Sequence, residues 1–354
     1  SSHSGSSPFA ARSARESAHC PSSTTFHPPY QPLLMASAKS AGPGAVSSVA
    51  VSGGWTLNTQ TWMPQGACVG VVMFVHGWLE CVDTKIARRF AKALLAKGIA
   101  LISYDSVMHG KSMGPYPWCL CAGNPADVLT MATHCTDMVR AVALPICKQA
   151  GVPFVLTGHS MGGGTAMSAT ESVAKACAAD GVRFAGAIYL APGNNADMSE
   201  SLRWCLCPCW WPMSKCWCIC LPGESDVTAV DEPGEPNWGA PLCHVNGCCR
   251  FGLPTSLGGF MGTEAWAKHH ANVPYHIIVG TADDVCKLPE QVLMQAAAPH
   301  GSLERLPGVG HDIFSDKEAR ALEWVELTAQ KVLEYIQAPA SSGPAGYGAA
   351  GSAQ

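Results

Sequence analysis

Five short apolar runs constrain this chain most: Val71–Val75, Ala100–Tyr104, Pro153–Thr157, Phe184–Leu190 and Tyr275–Val279. Each is apolar at nearly every position and does not alternate, the pattern of a strand buried on both faces, as in a parallel sheet covered by helices. Helical patterns lie between the runs. Ile86, Phe90 and Leu94 recur every four residues, and Val128, Met131, Cys135, Met138 and Val142 follow steps of three and four. Leu322, Val325, Ala329, Val332 and Ile336 line one face of a last helix. Alternating β and α segments predict an α/β fold with a mostly parallel central sheet flanked by helices.

The rhythm fails in three places. Residues 1–47 are rich in Ser, Ala and Pro and lack periodicity, as in a disordered leader. With Arg12 and Arg15 against the single acid Glu16, the same stretch also fits an organelle transit segment. Residues 338–354 read as a flexible Ala/Ser/Gly tail. Between the fourth and fifth runs, residues 194–262 have no strand–helix alternation but are dense in Trp, Pro, Gly and Cys. An insertion there would cover the carboxyl edge of the sheet, so it reads as a cap. The core is then 48–193 plus 263–337.

Gly158-His159-Ser160-Met161-Gly162 follows the third run and precedes a helical segment from Thr165 to Ala178. Strand, Gly-x-Ser-x-Gly and helix in that order form a tight turn that exposes a serine hydroxyl, with glycines where the chains approach closely. The following helix aims its N-terminus at developing negative charge. A serine needs a base to take its proton and a carboxylate to orient the base. In such a sheet the carboxylate follows a later strand and the histidine precedes the last helix. Asp283, in Gly280-Thr281-Ala282-Asp283, and His311, in Pro307-Gly308-Val309-Gly310-His311, occupy those stations. Asp284 is a rival orienter; Asp312 is too close in sequence to His311 to turn onto its ring easily. His300 reads as a surface residue, and His269 and His270 as a solvated helix face. Oxyanion donors are expected at the backbone N–H of Met161 and, in His76-Gly77-Trp78-Leu79-Glu80, of Trp78. His76 and His159 read as structural hydrogen-bonding residues.

Together these motifs resemble the monoacylglycerol lipase and lysophospholipase branch of the α/β hydrolases, from about Gly54 to Ile336. Trp62-Met63-Pro64 is similar to the family's W-x-P, and His76 to Glu80 to its HG-x-x-E oxyanion loop. The Ser160 motif matches residue for residue. Where the family usually has D-x-R-G-H-G-x-S, this chain has Asp105-Ser106-Val107-Met108-His109-Gly110-Lys111-Ser112, and the H-x-x-R-Y after Glu80 is missing. The resemblance implies an α/β-hydrolase fold with an inserted cap that admits a single acyl chain. It also implies Ser160, Asp283 and His311 as triad, with Trp78 and Met161 as oxyanion hole.

The cap carries Cys205-Leu-Cys207-Pro-Cys209 and Cys216-Trp-Cys218-Ile-Cys220 beside Trp204, Trp210, Trp211 and Trp217. Three readings compete: a zinc site, for which i, i+2 spacing is unusual; an interfacial, acylated patch that touches a membrane and lines the substrate path; and a sulfur-rich or disulfide-bonded cap core. The longest apolar stretch, Cys205 to Leu221, is broken by Pro208, Pro212, Ser214 and Lys215, too interrupted to span a bilayer. With a net charge of −4 and no Lys/Arg cluster, no electrostatic case for nucleic acid exists. The expectation is a cofactor-independent serine esterase acting on a small lipid ester, monoacylglycerol or lysophospholipid. The alternatives are a soluble carboxylesterase, an aminopeptidase, an acyltransferase, or a non-catalytic lipid-binding scaffold. Cytoplasmic, organellar and peripheral-membrane locations all stay open.

Overall fold

The computed structural model describes residues 44–77, 80–82, 85–107, 109–112, 128–194, 262–270, 272–311, 313 and 318–339, the backbone alone at 85–86, 128–129 and 318–322. Of the cap expected at 194–262 all but its end residues Asn194 and Gly262, and so Trp204, Trp210, Trp211, Trp217 and its cysteines, lies outside the described residues, as do Trp78, Asp312 and most of the leader and tail.

Eight strands form one sheet: β1 (Ala45–Val51), β2 (Trp55–Trp62), β3 (Gly70–Val75), β4 (Ile99–Tyr104), β5 (Phe154–His159), β6 (Phe184–Leu190), β7 (Tyr275–Gly280) and β8 (Ser302–Leu306). Their order is β1-β2-β4-β3-β5-β6-β7-β8. β1 pairs with β2, and β2 with β4, in antiparallel fashion; every other pairing is parallel. The five apolar runs are the five inner parallel strands. Their side chains divide between two cores by parity. Val71, Met73 and Val75 face one layer with Leu156, Tyr189 and Ile277. Val72 and Phe74 face the other with Val155, Ile188 and Ile278. Full burial of each such side chain stabilises by about 1.5–3 kcal/mol, and only a sheet covered on both faces collects it at every position.

On the first face lie α2 (Val128–Met138), α3 (Leu144–Ala150) and α4 (Met161–Ala179), which contribute Met131, Cys135, Cys147, Met167 and Val173. The helical path from 128 to 150 widens into a π-helical turn at Val139–Ala143, ahead of Pro145, which has no N–H to complete an α-helical ladder. On the second face lie α1 (Lys85–Ala96) and α7 (Glu318–Gln337), burying Phe90 and Leu94 against Val325, Ala329, Val332 and Ile336. Between them in sequence come α5 (Thr263–His269) and α6 (Leu288–Ala297), which add Trp266 and Met294 to the first core. Among the described residues no helix is long and apolar enough to cross a membrane.

Two details depart from expectation. β1 begins at Ala45, three residues inside the stretch read as leader. His270, read with His269 as a solvated face, is fully buried: its ring stacks on Trp266 with centroids 3.6 Å apart, and its Nε2 meets the Tyr189 hydroxyl at 2.8 Å. His269 keeps to the outside and pairs with Glu171 at 2.7 Å.

Candidate active site

Ser160 stands between the last residue of β5 and the first of α4 with φ 53° and ψ −119°. A non-glycine residue held there stores on the order of 1–3 kcal/mol, so the surroundings must enforce it. They do so at backbone level. The Ser160 N–H donates to Leu190 O at 2.9 Å, and its carbonyl accepts from Gly164 and Gly193 at 3.0 and 2.9 Å. A Cβ on Gly158 would come 2.3 Å from Gly162 O, and one on Gly162 2.1 Å from Val75 O. The turn therefore closes only with glycine on both sides of the serine.

The loops after β7 and β8 are built against each other. Thr281 N–H donates to Leu306 O and Ala282 N–H to Val309 O, both at 2.9 Å, while Gly308 N–H donates to Thr281 Oγ1 at 2.8 Å. This docking sets Asp283 opposite His311. Asp283 Oδ1 accepts the N–H groups of Val285 and Cys286 at 2.9 and 2.8 Å, and Oδ2 accepts from His311 Nδ1 at 2.9 Å. The carboxylate is fully enclosed, whereas the neighbouring Asp284 is exposed. On the far side of the imidazole, Nε2 lies 2.8 Å from Ser160 Oγ. With Nδ1 carrying the proton toward Asp283, Nε2 presents a lone pair to the serine hydroxyl. The structure thus brings Ser160, His311 and Asp283 into one hydrogen-bonded line.

Met161 opens α4, so its buried N–H belongs to the first turn, where the helix supplies no acceptor. The loop after β3 flanks it. Its Glu80 turns back: Oε2 accepts Gly77 N–H at 2.8 Å, and Oε1 meets His159 Nδ1 at 3.0 Å. His159 Nε2 in turn lies 3.2 Å from the carbonyl oxygen of His311. Burial alone would raise the Glu80 carboxyl. The charge and hydrogen bond of His159, the nearby His76 and the Gly77 N–H outweigh it and hold Glu80 below its ordinary value of 4.5.

His76 donates from Nδ1 to Gly77 O at 2.7 Å and accepts Ser106 N–H at Nε2 at 2.9 Å, tying the loop after β3 to the loop after β4. In that second loop Asp105 is the organiser. Its carboxylate accepts Val82 N–H, Asn58 Nδ2 and Lys111 N–H, each at 2.8 Å, and Gly110 passes over it at φ 50°. The altered D-x-R-G-H-G-x-S segment is therefore closed from within by Asp105, His109 and Ser112.

One contact had no counterpart in the motif reading. The Cys286 side chain is close enough to Ser160 for the two to interact. Burial above all, with Asp283 and Glu290 adding to it, pushes that thiol well above its ordinary range, so beside the serine stands a neutral thiol and not a rival thiolate. Only the D-x-x-C spacing hinted at it. His300 is on the surface, its Nε2 at 3.0 Å from Val273 O. Among the described residues no group of three or more His, Cys, Asp or Glu side chains is arranged to hold a metal.

A mostly parallel eight-stranded sheet with a strained serine at the end of its fifth strand is the α/β-hydrolase fold. Residues 66–229, somewhat less than half the chain, match the model of the family described as serine aminopeptidase, S33. No curated protein matches the sequence. A soluble variant of monoglyceride lipase from Saccharomyces cerevisiae, solved with a substrate analog, superposes with a TM-score of 0.59 at 18% identity, over 88% of this chain and 99% of that one. A thermostable carboxyl esterase from Bacillus coagulans gives 0.57 at 17%, over 82% and 98%. The thioesterase domain of a curacin biosynthetic pathway gives 0.54 at 15%, over 82% and 99%. At such identities the likeness is one of fold.

Proposed function

We propose that the protein is a serine ester hydrolase acting on single-chain lipid esters such as monoacylglycerol or lysophospholipid. The observation that carries the chemistry is the unbroken line from Ser160 Oγ through His311 to Asp283, with contacts of 2.8 and 2.9 Å. Ser160 Oγ attacks the ester carbonyl as His311 Nε2 takes its proton. Asp283 holds the imidazole in the Nδ1–H tautomer and stabilises the imidazolium that forms. The N–H groups of Met161 and Trp78 receive the oxyanion, a donor of this kind being worth about 10²–10³ in kcat. His311 protonates the departing alcohol, then activates water to hydrolyse the acyl-enzyme. No cofactor takes part.

The substrate class is supported by the motif resemblance and by the similarity to the yeast monoglyceride lipase. The match to the serine aminopeptidase family favours a second reading, in which the same line of residues cleaves an N-terminal peptide bond. Labelling with a fluorophosphonate probe tests the nucleophile: wild type labels and Ser160→Ala does not. Turnover is then compared on 1-oleoylglycerol, p-nitrophenyl acetate and an aminoacyl p-nitroanilide. Preference for the acetyl ester or the anilide over the long-chain ester would overturn the lipid assignment.

A further inference from the structure

His159 lies between two acceptor oxygens, neither of which carries a hydrogen to donate: a carboxylate oxygen of Glu80 at Nδ1 and the carbonyl oxygen of His311 at Nε2. A neutral imidazole has one N–H and one lone pair. If the proton were on Nδ1, the Nε2 lone pair would face the His311 carbonyl; if on Nε2, the other lone pair would face Glu80. Either arrangement sets two lone pairs against each other in a site where His159 is 4% exposed and the Glu80 side chain 12%. Both contacts are satisfied when both nitrogens carry hydrogen.

We propose that His159 is an imidazolium paired with the Glu80 carboxylate, and that this buried pair is a positioning device linking the loop after β3 to the backbone of His311. The reading of the site as a serine hydrolase underlies the second half of that statement; the charge state of His159 stands without it. The link runs Gly77 N–H to Glu80, Glu80 to His159, and His159 to His311 O. It joins the segment carrying the Trp78 oxyanion donor to the general base without touching the reacting atoms. Gly77 makes room for it, since a Cβ there would come 3.0 Å from Glu80 Oε1 and 3.1 Å from His159 Nδ1.

The charged or titratable groups around the ring favour this state. Glu80 faces it from the loop after β3, with His76 and the loop-borne His109 beyond, and the His311 ring lies across at 5.2 Å. His76 is tied to its own loop and the next, its Nδ1 at 2.7 Å from Gly77 O and its Nε2 at 2.9 Å from Ser106 N. His109 is held neutral by its burial, its value lowered to about 3. Among the described residues Glu80 is the anion that faces His159, and its carboxyl is held on the acid side of its ordinary value.

The test uses the full chain labelled with ¹⁵N at histidine, with His159 assigned from the spectrum of His159→Gln. The expected result is two directly bonded N–H signals on the His159 ring from pH 6 to 8, reduced to one in Glu80→Gln. A single N–H in wild type overturns the inference, and this readout needs no activity. In kinetics, Glu80→Gln and His159→Gln each lower kcat by about tenfold to a hundredfold, the scale of a misplaced catalytic group, with KM within about threefold. The double variant is no worse than either single one. Additive losses, or losses in KM alone, overturn the positioning role. If the variants do not fold, the wild-type spectrum still decides the charge. If wild type fails to label with fluorophosphonate, the hydrolase reading falls while the His159 spectrum stands or falls independently.

Discussion

Asp283 spends one carboxylate oxygen on the backbone N–H groups of Val285 and Cys286 and the other on His311 Nδ1. The division matters because the two backbone donors fix the carboxylate plane before the histidine arrives. Replacing Asp283 by Asn puts an amide N–H where an acceptor is needed, at Oδ1 against two N–H groups or at Oδ2 against His311. Flipping the His311 tautomer to suit it removes the lone pair from Nε2. The expected loss is about four orders of magnitude in kcat, with the fold retained. Steady-state kinetics and circular dichroism on Asp283→Asn check it; a loss below tenfold sinks the orienting role.

Gly162 rests against the carbonyl of Val75, and the clash its Cβ would make, at 2.1 Å, is with backbone of a central strand that cannot yield. Gly162→Ala should cost about 3 kcal/mol or more, at the upper end of overpacking, and abolish labelling of Ser160. Gly66 has open space at the same construction and no positive φ. Gly66→Ala should leave stability unchanged or raise it by about 0.4–1 kcal/mol. Urea denaturation of the pair measures the contrast.

The inner sheet was legible because burial on both faces writes an unbroken apolar run into each strand, from Val71 to Tyr275. β1, β2 and β8 were not, for lack of such a run. β2 buries Asn58, Thr59, Gln60 and Thr61, held in part by contacts such as Asn58 Nδ2 to Asp105 Oδ2 and Thr59 Oγ1 to Ser103 O, which no hydropathy pattern records. β1 and β8 lie at the sheet edges. Ser160, Asp283 and His311 were placed by counting strands, and the structure brings those three together. The Glu80–His159 contact spans 79 residues and depends on the loop after β3 folding back onto the end of β5, so no local spacing announces it. His270 was misread because its neighbour His269 does face outward; only the packing of Trp266 and Tyr189 tells the two apart.

That buried His270 makes a prediction about acid stability. Burial lowers its folded value from 6.5 to about 3. Between those values the unfolded chain binds the proton and the folded chain does not, so stability falls as pH drops from about 6.5 toward 3. His270→Asn removes the titrating group. It should be less stable than wild type at pH 7, having lost the contact to Tyr189, and the gap should narrow as pH falls through this window. A gap that is constant with pH contradicts a neutral buried imidazole. Thermal unfolding from pH 4 to 7.5 gives the comparison.

Glu80 works with the opposite charge in a lower window. Its folded value is depressed below 4.5, so the stabilisation it provides is fully present above 4.5 and is lost as pH falls through the lower folded value. In that interval the unfolded carboxyl is protonated while the folded one still faces His159 and Gly77 N–H. The stability difference between wild type and Glu80→Gln should therefore shrink as pH falls below about 4.5. Above that window His159 keeps in wild type the proton it sheds in Glu80→Gln, so the difference should also decline as pH rises from 5.5 to 7.5, by about 1.4 kcal/mol per pH unit. A difference that fails to shrink below about 4.5 would mean that Glu80 is not held below its ordinary value in the folded protein, and His159 would then lack that anion beside it. Urea unfolding at half-unit steps of pH resolves the two slopes.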